Sequence, residues 1–220
     1  YFLRQMMKIV KIYSHKKGEE ILTQERPHLL QELSVAVEAI SAAHCLTKES
    51  KETSKIKTWG GLLFSPRAIN AAFKAILYPA GWAKWDEKKQ KFGEYTLTFS
   101  DDTTRSGDDR VRKIDGIKER VGLEIQMGKY AFMGYDIFSK MIIFKNMGFI
   151  DYGIEVVLVQ KMIDRMSTGV SAFEHLMIDF KYRGEADIDI PVLVLGIGPN
   201  DAEWLEIDAV QDLYRKDPIS

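Results

Sequence analysis

Two apolar segments in the second half of the chain constrain the fold more than any other feature. They are Gly153–Val159 and Pro191–Ile197, and each has the length of a strand. Apolar runs of this kind are typical of strands that lie centrally in a sheet and are covered on both faces. Helical patterns alternate with these strands along the chain. We therefore predict an α/β fold with a central mixed β-sheet flanked by helices.

The remaining elements are predicted from the spacing of apolar residues and from turn residues. Helices are predicted over Leu29–Ser41, Arg67–Leu77, Tyr130–Met147, Ser171–Tyr182 and Asp201–Arg215. Met7–Ser14 fits either a short strand or the start of a helix. The alternation of Phe92, Tyr95, Leu97 and Phe99 indicates a strand, and the composition of Asp101–Asp109 indicates a loop.

Composition limits the class of protein. The chain has 220 residues, 45% of them hydrophobic and 29% charged, which suits one globular domain. No apolar run is long enough to cross a bilayer, and we expect no membrane partner. The single cysteine, Cys45, rules out an intramolecular disulfide, suits a reducing prokaryotic cytoplasm and is expected to be a small buried hydrophobe. Residues 1–6 are expected to be an upstream extension, and residues 7–220 a single domain.

The candidate catalytic residues lie between Ile114 and Met127. Val121–Met127 alternates as a strand does, so Glu124 and Gln126 emerge on one face. The charged tripeptide 118–120 suits an exposed turn, and a hairpin there would bring Glu124 back to Asp115. Two carboxylates placed in this way suit a hard cation such as Mg²⁺. The same spacing also occurs on ordinary solvated strand ends.

This spacing resembles the Asp…Glu-x-Lys pattern of restriction-endonuclease-like nucleases, with Gln126 in place of the lysine. That replacement, and the order of five motifs, resemble the BglII–BstYI group of type II restriction endonucleases. The motifs are Met7–His15 with Glu19–Leu22, Thr47–Lys55 followed by Gly61–Pro66 and Asn70, Glu124–Phe132, Met166–Glu174 and Pro191–Pro199. Lys129 and the Met-Ser-Thr-Gly run at 166–169 are closer to the BstYI branch. The resemblance implies a restriction-endonuclease-like fold.

The resemblance also implies a mechanism. Asp115, Glu124 and Gln126 would be catalytic, and Mg²⁺ would be held by Asp115, Glu124 and the main-chain carbonyl of Ile125. Gln126 lacks the positive charge of a lysine, so its expected role is to hold the attacking water by hydrogen bonding. Glu38 is a further carboxylate that could join the site, although a solvated helical position is the simpler interpretation.

Contacts with double-stranded DNA are expected from two parts of the sequence. Base contacts within a central GATC are implied, at positions matching the family, for Lys129, Ser167, Thr168 and Ser171. The net charge is only −1, so phosphate contacts must come from local clusters. Lys48, Lys51 and Lys55 are expected to contact phosphates. A second cluster, formed by Lys84, Lys88, Lys89 and Lys91, is expected to be a solvated loop.

Two functions from different classes remain open at this point. One is a Mg²⁺-dependent type II restriction endonuclease that cuts within a GATC-centred hexanucleotide, R/GATCY, and leaves 5′ overhangs. The other is a DNA-binding domain that keeps the scaffold without cleavage. A palindromic site requires a two-fold protein, so we expect a homodimer. The predicted helix Tyr130–Met147 could form its interface or could be a core helix.

Overall fold

The structure is a computed structural model that describes residues 7–99, 110–129 and 134–216. The predicted extension 1–6, the predicted loop 101–109 and the start of the predicted helix at 130–133 lie outside the described residues. The strands are β1 (Met7–His15), β2 (Lys48–Glu49), β3 (Leu62–Leu63), β4 (Lys84–Asp86), β5 (Lys91–Gly93), β6 (Tyr95–Phe99), β7 (Arg110–Ile114), β8 (Gly116–Lys118), β9 (Val121–Gln126), β10 (Tyr152–Leu158) and β11 (Val192–Pro199). The helices are α1 (Gly18–Glu25), α2 (Pro27–Glu38), α3 (Thr53–Trp59), α4 (Pro66–Leu77), α5 (Ile142–Asn146), α6 (Gln160–Ile163), α7 (Phe173–Arg183) and α8 (Asp201–Lys216). A π-helical segment, Asp136–Met141, leads directly into α5.

A five-stranded mixed sheet forms the centre of the fold, in the order β1-β11-β10-β9-β8. Strands β9, β10 and β11 run parallel, whereas β8 and β1 are antiparallel to their neighbours. The two apolar segments thus become adjacent interior strands, as predicted. Met7–His15, which fitted either a strand or a helix, forms strand β1 at one edge. The predicted mixed sheet flanked by helices is confirmed.

Helices cover both faces of the sheet, because the side chains of each strand alternate between two hydrophobic cores. Leu123 and Ile125 point to a core that includes buried residues of α1, α2, α4 and α8. Val157 and Val194 point to the other core, which is closed by Ile137, Met141 and Phe144 and by buried residues of α7. Glu124 lies between Leu123 and Ile125 in the strand, so it faces this second layer.

The predicted helices are present in the described residues, with their first and last residues shifted. The Ser65 hydroxyl caps α4 by accepting a hydrogen bond from the Ala68 N–H, with Pro66 in the first turn. Helix α2 ends at Glu38, earlier than predicted. The Ile40 carbonyl accepts a hydrogen bond from the Met7 N–H, so the backbone there already connects to the first strand.

One further expectation concerns burial. Cys45 is buried, and burial raises the pKa of its thiol to about 11, so it acts as a small apolar side chain. Within the described part of the chain, no helix combines the length and the apolar character needed to cross a membrane.

Candidate active site

The hairpin of β8 and β9 brings Asp115 and Glu124 together. Gly116 pairs with Leu123, so Asp115, one residue before β8, lies opposite Glu124. Glu119 and Arg120 form the turn, both with positive φ, as a two-residue hairpin with the twist of its strands requires. Asp115 Oδ2 accepts a hydrogen bond from the Ile125 N–H at 3.0 Å. The last two residues of the charged tripeptide therefore form the turn that returns Glu124 to Asp115.

Glu155 stands directly beside Glu124 on the neighbouring strand. The two residues are register partners in the parallel pair β9–β10, so their side chains leave the sheet on the same face. Glu155 is fully buried, and neither of its carboxyl oxygens has a hydrogen-bond partner among the described residues. A buried acid with no partner is costly and is typical of functional sites.

Two lysines bring ammonium groups to these carboxylates. Lys140, from the π-helical segment, places Nζ 2.8 Å from Glu124 Oε1 and 2.5 Å from an Asp136 oxygen. Lys74, from α4, places Nζ 2.9 Å from Glu94 Oε1 and 3.3 Å from Asp115 Oδ1. Asp115 and Glu124 therefore each have one oxygen turned toward an ammonium group.

The region holds more acid than base. In the described part of the chain it contains the carboxyl groups of Glu94, Asp115, Glu124, Asp136 and Glu155 and the ammonium groups of Lys74, Lys113 and Lys140. Burial raises the pKa of Glu124 well above its usual range, and the charges of Asp115 and Asp136 raise it further. Burial likewise raises the pKa of Asp136, against the opposing effect of Lys140. An added positive charge would be stabilised here.

The residues present fit a hard divalent cation. No group of three His, Cys, Asp or Glu side chains that could enclose a metal occurs within residues 7–99, 110–129 and 134–216. Mg²⁺, however, is commonly bound through one or two carboxylates and keeps several waters. Asp115 and Glu124, with the Ile125 carbonyl, could supply such a small set of oxygen donors.

Gln126 follows Glu124 on the same face at the end of β9 and is partly exposed. Its side-chain carbonyl accepts a hydrogen bond from the Gly128 N–H at 3.2 Å. This bond fixes the carboxamide and leaves its NH₂ group to donate. The Glu38 carboxylate instead accepts a hydrogen bond from Ser34 on its own helix.

The predicted DNA-contacting residues lie in adjacent segments. Lys129, which is exposed, forms an isolated bridge with Val170, and the Ser171 N–H donates to the Gly128 carbonyl. Lys48 donates to the Ser167 hydroxyl, and Lys55 Nζ donates to the Asp164 carbonyl at 2.8 Å. The turn after β9, the loop 164–171 and the lysines around α3 therefore form one continuous surface. Thr168 and Lys51 are exposed at that surface.

Ser171 does not fit its expected role in the described conformation. Its side chain is fully buried, and its hydroxyl has no hydrogen-bond partner among the described residues. The main chain of Ser171 is tied to Gly128, which turns the side chain inward. Base contact by this hydroxyl is therefore not supported by its placement.

Arg165 anchors the loop that carries Ser167 and Thr168. Its guanidinium lies 4.4 Å from the ring centroid of Trp59 and 4.6 Å from that of Trp204, and it is 6% exposed. It also donates to Gln211 at 3.0 Å. Stacking of arginine between two aromatic rings is stabilising when water is excluded. The loop is thus attached to both α3 and α8.

The second lysine cluster was expected to be a solvated loop. Its four lysines are exposed, on and around the turn of the β4–β5 hairpin, and they also line an open cavity of about 820 Å³. Lys84, Lys88, Lys89 and Lys91 share this cavity with Lys74, which contacts Asp115. The cavity therefore opens beside the active site. The β4–β5 hairpin determines the position of the cavity. The spacing of residues in the sequence does not reveal how these two strands pair.

Sequence reasoning missed several residues of the site: Lys74, Glu94, Asp136, Lys140 and Glu155. A signal existed for Glu155, since it is a charged residue within an otherwise apolar strand. Asp136 and Lys140 have the i, i+4 spacing of an ordinary ion pair on a helix surface. Nothing in the sequence therefore marked them as residues of the site.

Glu155→Gln is expected to stabilise the protein increasingly as pH rises. Burial raises the pKa of Glu155 well above its usual range, and the charges of Asp136, Glu124 and Asp115 add to this against Lys140. The folded protein therefore keeps a proton that the unfolded chain releases near its ordinary pKa of about 4.5, so wild-type stability falls as pH rises above that value. We expect Glu155→Gln to exceed wild type by about 1–3 kcal/mol at pH 8, and by less at pH 5, in urea unfolding.

The exposed Glu87 provides the matched control for this measurement. Glu87→Gln should unfold like wild type at both pH values. An equal difference between Glu155→Gln and wild type at pH 5 and pH 8 would contradict the assigned titration.

Comparisons with known proteins show the family and the fold of the chain. A sequence model of the family described as restriction endonuclease BglII/BglIII matches residues 10–197. The chain is similar to the crystal structure of restriction endonuclease BglII complexed with a DNA 16-mer, with a TM-score of 0.60 and 18% identity over 84% of this chain and 74% of that chain. It is also similar to the crystal structure of free BglII, with a TM-score of 0.51 and 17% identity over 84% and 77% of the two chains. No curated protein sequence matches the chain significantly.

The likeness to the two BglII crystal structures shows the fold of this chain, and the match to the family model shows its family. The matched residues include the hairpin of Asp115 and Glu124, the turn with Lys129, the loop 164–171 and most of the central sheet. The chain belongs to the BglII/BglIII restriction endonuclease family and is therefore a type II site-specific deoxyribonuclease.

Proposed function

We propose that the protein is a Mg²⁺-dependent endonuclease that cleaves double-stranded DNA within a GATC-centred hexanucleotide, R/GATCY, and leaves 5′ overhangs. The observation that carries this proposal is the hairpin that holds the Asp115 carboxylate on the Ile125 N–H, opposite Glu124. Lys129 and the Met-Ser-Thr-Gly run at 166–169, which resemble the BstYI branch, support the choice of RGATCY.

The residues of the site have separate tasks in this mechanism. Asp115, Glu124 and the Ile125 carbonyl would hold the cation, which when bound would neutralise charge on the scissile phosphate and lower the pKa of a coordinated water. Gln126 is fixed by Gly128 and would orient the attacking water through its NH₂ group. Asp115 is in turn oriented by its hydrogen bond from the Ile125 N–H.

We assign recognition of the DNA sequence to the surface formed by the turn after β9 and the loop 164–171. We propose that Lys129, Ser167 and Thr168 contact bases and that Lys48, Lys51 and Lys55 contact phosphates. The contacts from Lys48 to Ser167 and from Lys55 to the Asp164 carbonyl support this division, since they place the basic segment along the edge of the loop. Phosphate contacts position a protein on DNA, whereas contacts with base edges supply specificity.

A palindromic site would be read by a homodimer with one active centre for each strand. The described part of the predicted interface helix buries Ile137, Met141 and Phe144 in the core of its own chain. Its inward face is therefore unavailable to a second protomer. Met147 and Phe149, which follow α5 and are exposed, are better placed for such a contact.

Incubation of a supercoiled plasmid with the protein and Mg²⁺, followed by sequencing of the fragment ends, tests the proposal. We expect cuts at AGATCT, GGATCC and the mixed site AGATCC, each with a 5′ overhang, and none after chelation of the cation. Retarded but uncut DNA would instead favour a DNA-binding domain without cleavage. Cuts at AGATCT alone would replace RGATCY by a stricter site.

Lys129→Ala is expected to reduce discrimination between the proposed site and sites that differ by one base pair. Two hydrogen bonds from lysine to guanine O6 and N7 contribute about 1–3 kcal/mol of discrimination, so the ratio of kcat/KM values should fall about 5- to 150-fold. The measurement compares cleavage of matched oligonucleotide duplexes.

Lys51→Ala serves as the comparison variant. It should weaken binding to all sequences alike and reduce the slope of log K against log salt by about one. A Lys129→Ala enzyme with unchanged discrimination would remove Lys129 from the base contacts.

A further inference from the structure

Lys140 has a pair of contacts that the proposed mechanism does not use. Its Nζ lies 2.8 Å from Glu124 Oε1 and 2.5 Å from Asp136 Oδ1, and only 13% of its side chain is exposed. Glu124 and Asp136 are more buried still, at 5% and 3% exposure. The ammonium group has three donors, so one remains beyond these two contacts.

An ordinary helical ion pair would require only part of this arrangement. Asp136 and Lys140 are spaced as partners on one helical turn, and an exposed pair of this kind contributes little. Here the pair is buried and points at a third group, Glu124, from a different element. The helix also widens to a π turn over Asp136–Met141, a local form that is frequent at functional sites.

The contacts of Lys140 leave the cation site accessible. Lys140 contacts Glu124 through Oε1, which leaves Oε2 of the same carboxylate for a cation. Asp115 differs, because both of its oxygens have a partner: Oδ2 accepts a hydrogen bond from the Ile125 N–H, and Oδ1 lies toward Lys74. Lys140 therefore orients Glu124 without replacing the cation.

Strand β9 itself has no positively charged side chain at this point. Gln126 follows Glu124 on the same face, and its carboxamide is neutral and is bonded to Gly128. A lysine at that position would have placed positive charge beside the carboxylates. Lys140 brings an ammonium group to the same carboxylate from the neighbouring helical layer.

We propose that Lys140 is a positioning residue of the active site: anchored by Asp136, it holds Glu124 by one oxygen and supplies the positive charge that Gln126 lacks. The inference rests on the proposed function. Lys74 does not fill the same role, because its shorter contact is with Glu94 and it meets only Asp115 of the catalytic carboxylates.

Lys140→Met tests this role. We expect kcat to fall about 100-fold, as when a preorganised electrostatic group is removed, with KM for DNA within threefold of wild type. Titration calorimetry of Mg²⁺ with the DNA-free protein gives a second readout. Because a positive charge next to the cation is lost, Mg²⁺ should bind at least as tightly as to wild type. Lys140→Arg, which keeps the charge, should recover at least a tenth of the wild-type kcat.

Lys145→Met is the matched control, since Lys145, on α5, forms an ion pair with Asp189 away from the site. It should leave kcat and Mg²⁺ affinity unchanged. If Lys140→Met does not fold, the double variant Lys140→Gln/Asp136→Asn removes both charges together and should show the same loss of kcat.

Each outcome has one interpretation. A kcat within threefold of wild type for Lys140→Met or for the double variant would overturn the inference, and so would weaker Mg²⁺ binding by Lys140→Met. An equal loss of kcat in Lys145→Met would also overturn it. A wild-type protein that does not cleave DNA would instead overturn the proposed function, so the two failures are distinguishable.

Discussion

Glu124→Gln is expected to reduce DNA cleavage about 1,000-fold or more while sequence-specific DNA binding is retained. Glu124 lies at the centre of the candidate site. It is opposite Asp115, beside Glu155, and in contact with Lys140. The amide keeps the size of the side chain but removes the charge that would hold the cation. Loss of a single electrostatic contact in an active site already costs about 100- to 1,000-fold in kcat, and here the Lys140 contact is weakened as well.

Two measurements check this expectation. Single-turnover cleavage of a labelled duplex gives the rate, and a gel-shift titration without divalent cation gives the affinity for the same duplex. Glu203→Gln is the matched control, because Glu203 is equally buried, at 4% exposure, but lies at the start of α8. A Glu124→Gln rate within tenfold of wild type would show that the catalytic centre has been assigned wrongly.

Gly18→Ala is expected to destabilise the fold by about 3 kcal/mol or more. A Cβ at Gly18 would stand 2.5 Å from both the carbonyl carbon and the carbonyl oxygen of Val192. Those atoms belong to β11, a strand paired on both sides, so they cannot move without disturbing the sheet. Overpacking of a well-packed interior typically costs about 1–3 kcal/mol, and contact with backbone lies at the upper end or beyond.

Urea unfolding measures this cost, and Gly93→Ala is the control. A Cβ at Gly93 meets nothing within 4 Å, so that variant should unfold at the wild-type midpoint. Equal midpoints for Gly18→Ala and wild type would mean that α1 does not pack so closely against β11.

Local sequence patterns predicted the parts of the site that neighbouring residues build. The turn at Glu119 and Arg120 is flanked by short strands, so the antiparallel pairing of Gly116 with Leu123 follows from the position of the turn. That pairing alone brings Asp115 opposite Glu124. Helix α4 was equally predictable, because Ser65 and Pro66 mark its start and its apolar stripe is regular.

The features that the sequence did not predict depend on contacts between residues far apart in the chain. The charge of Glu155 was visible in its strand, but its partner was not, because the register of parallel strands depends on crossover connections and not on any local turn. Ser171 was expected to offer its hydroxyl to DNA, yet its side chain is buried and its N–H donates to the Gly128 carbonyl. The lysines at 84–91 are solvated as expected, but the cavity that they share with Lys74 depends on the pairing of β4 with β5.

The sequence by itself determined the alternation of strand faces and the hairpin that joins Asp115 to Glu124, since both depend on residues only a few positions apart. Tertiary structure alone decided that Glu155 lies beside Glu124 and that Lys140 reaches the same carboxylate from a helix. The physical reason is that side-chain periodicity is a property of each strand, whereas charge partners between elements are fixed only when the sheet and its helices pack together.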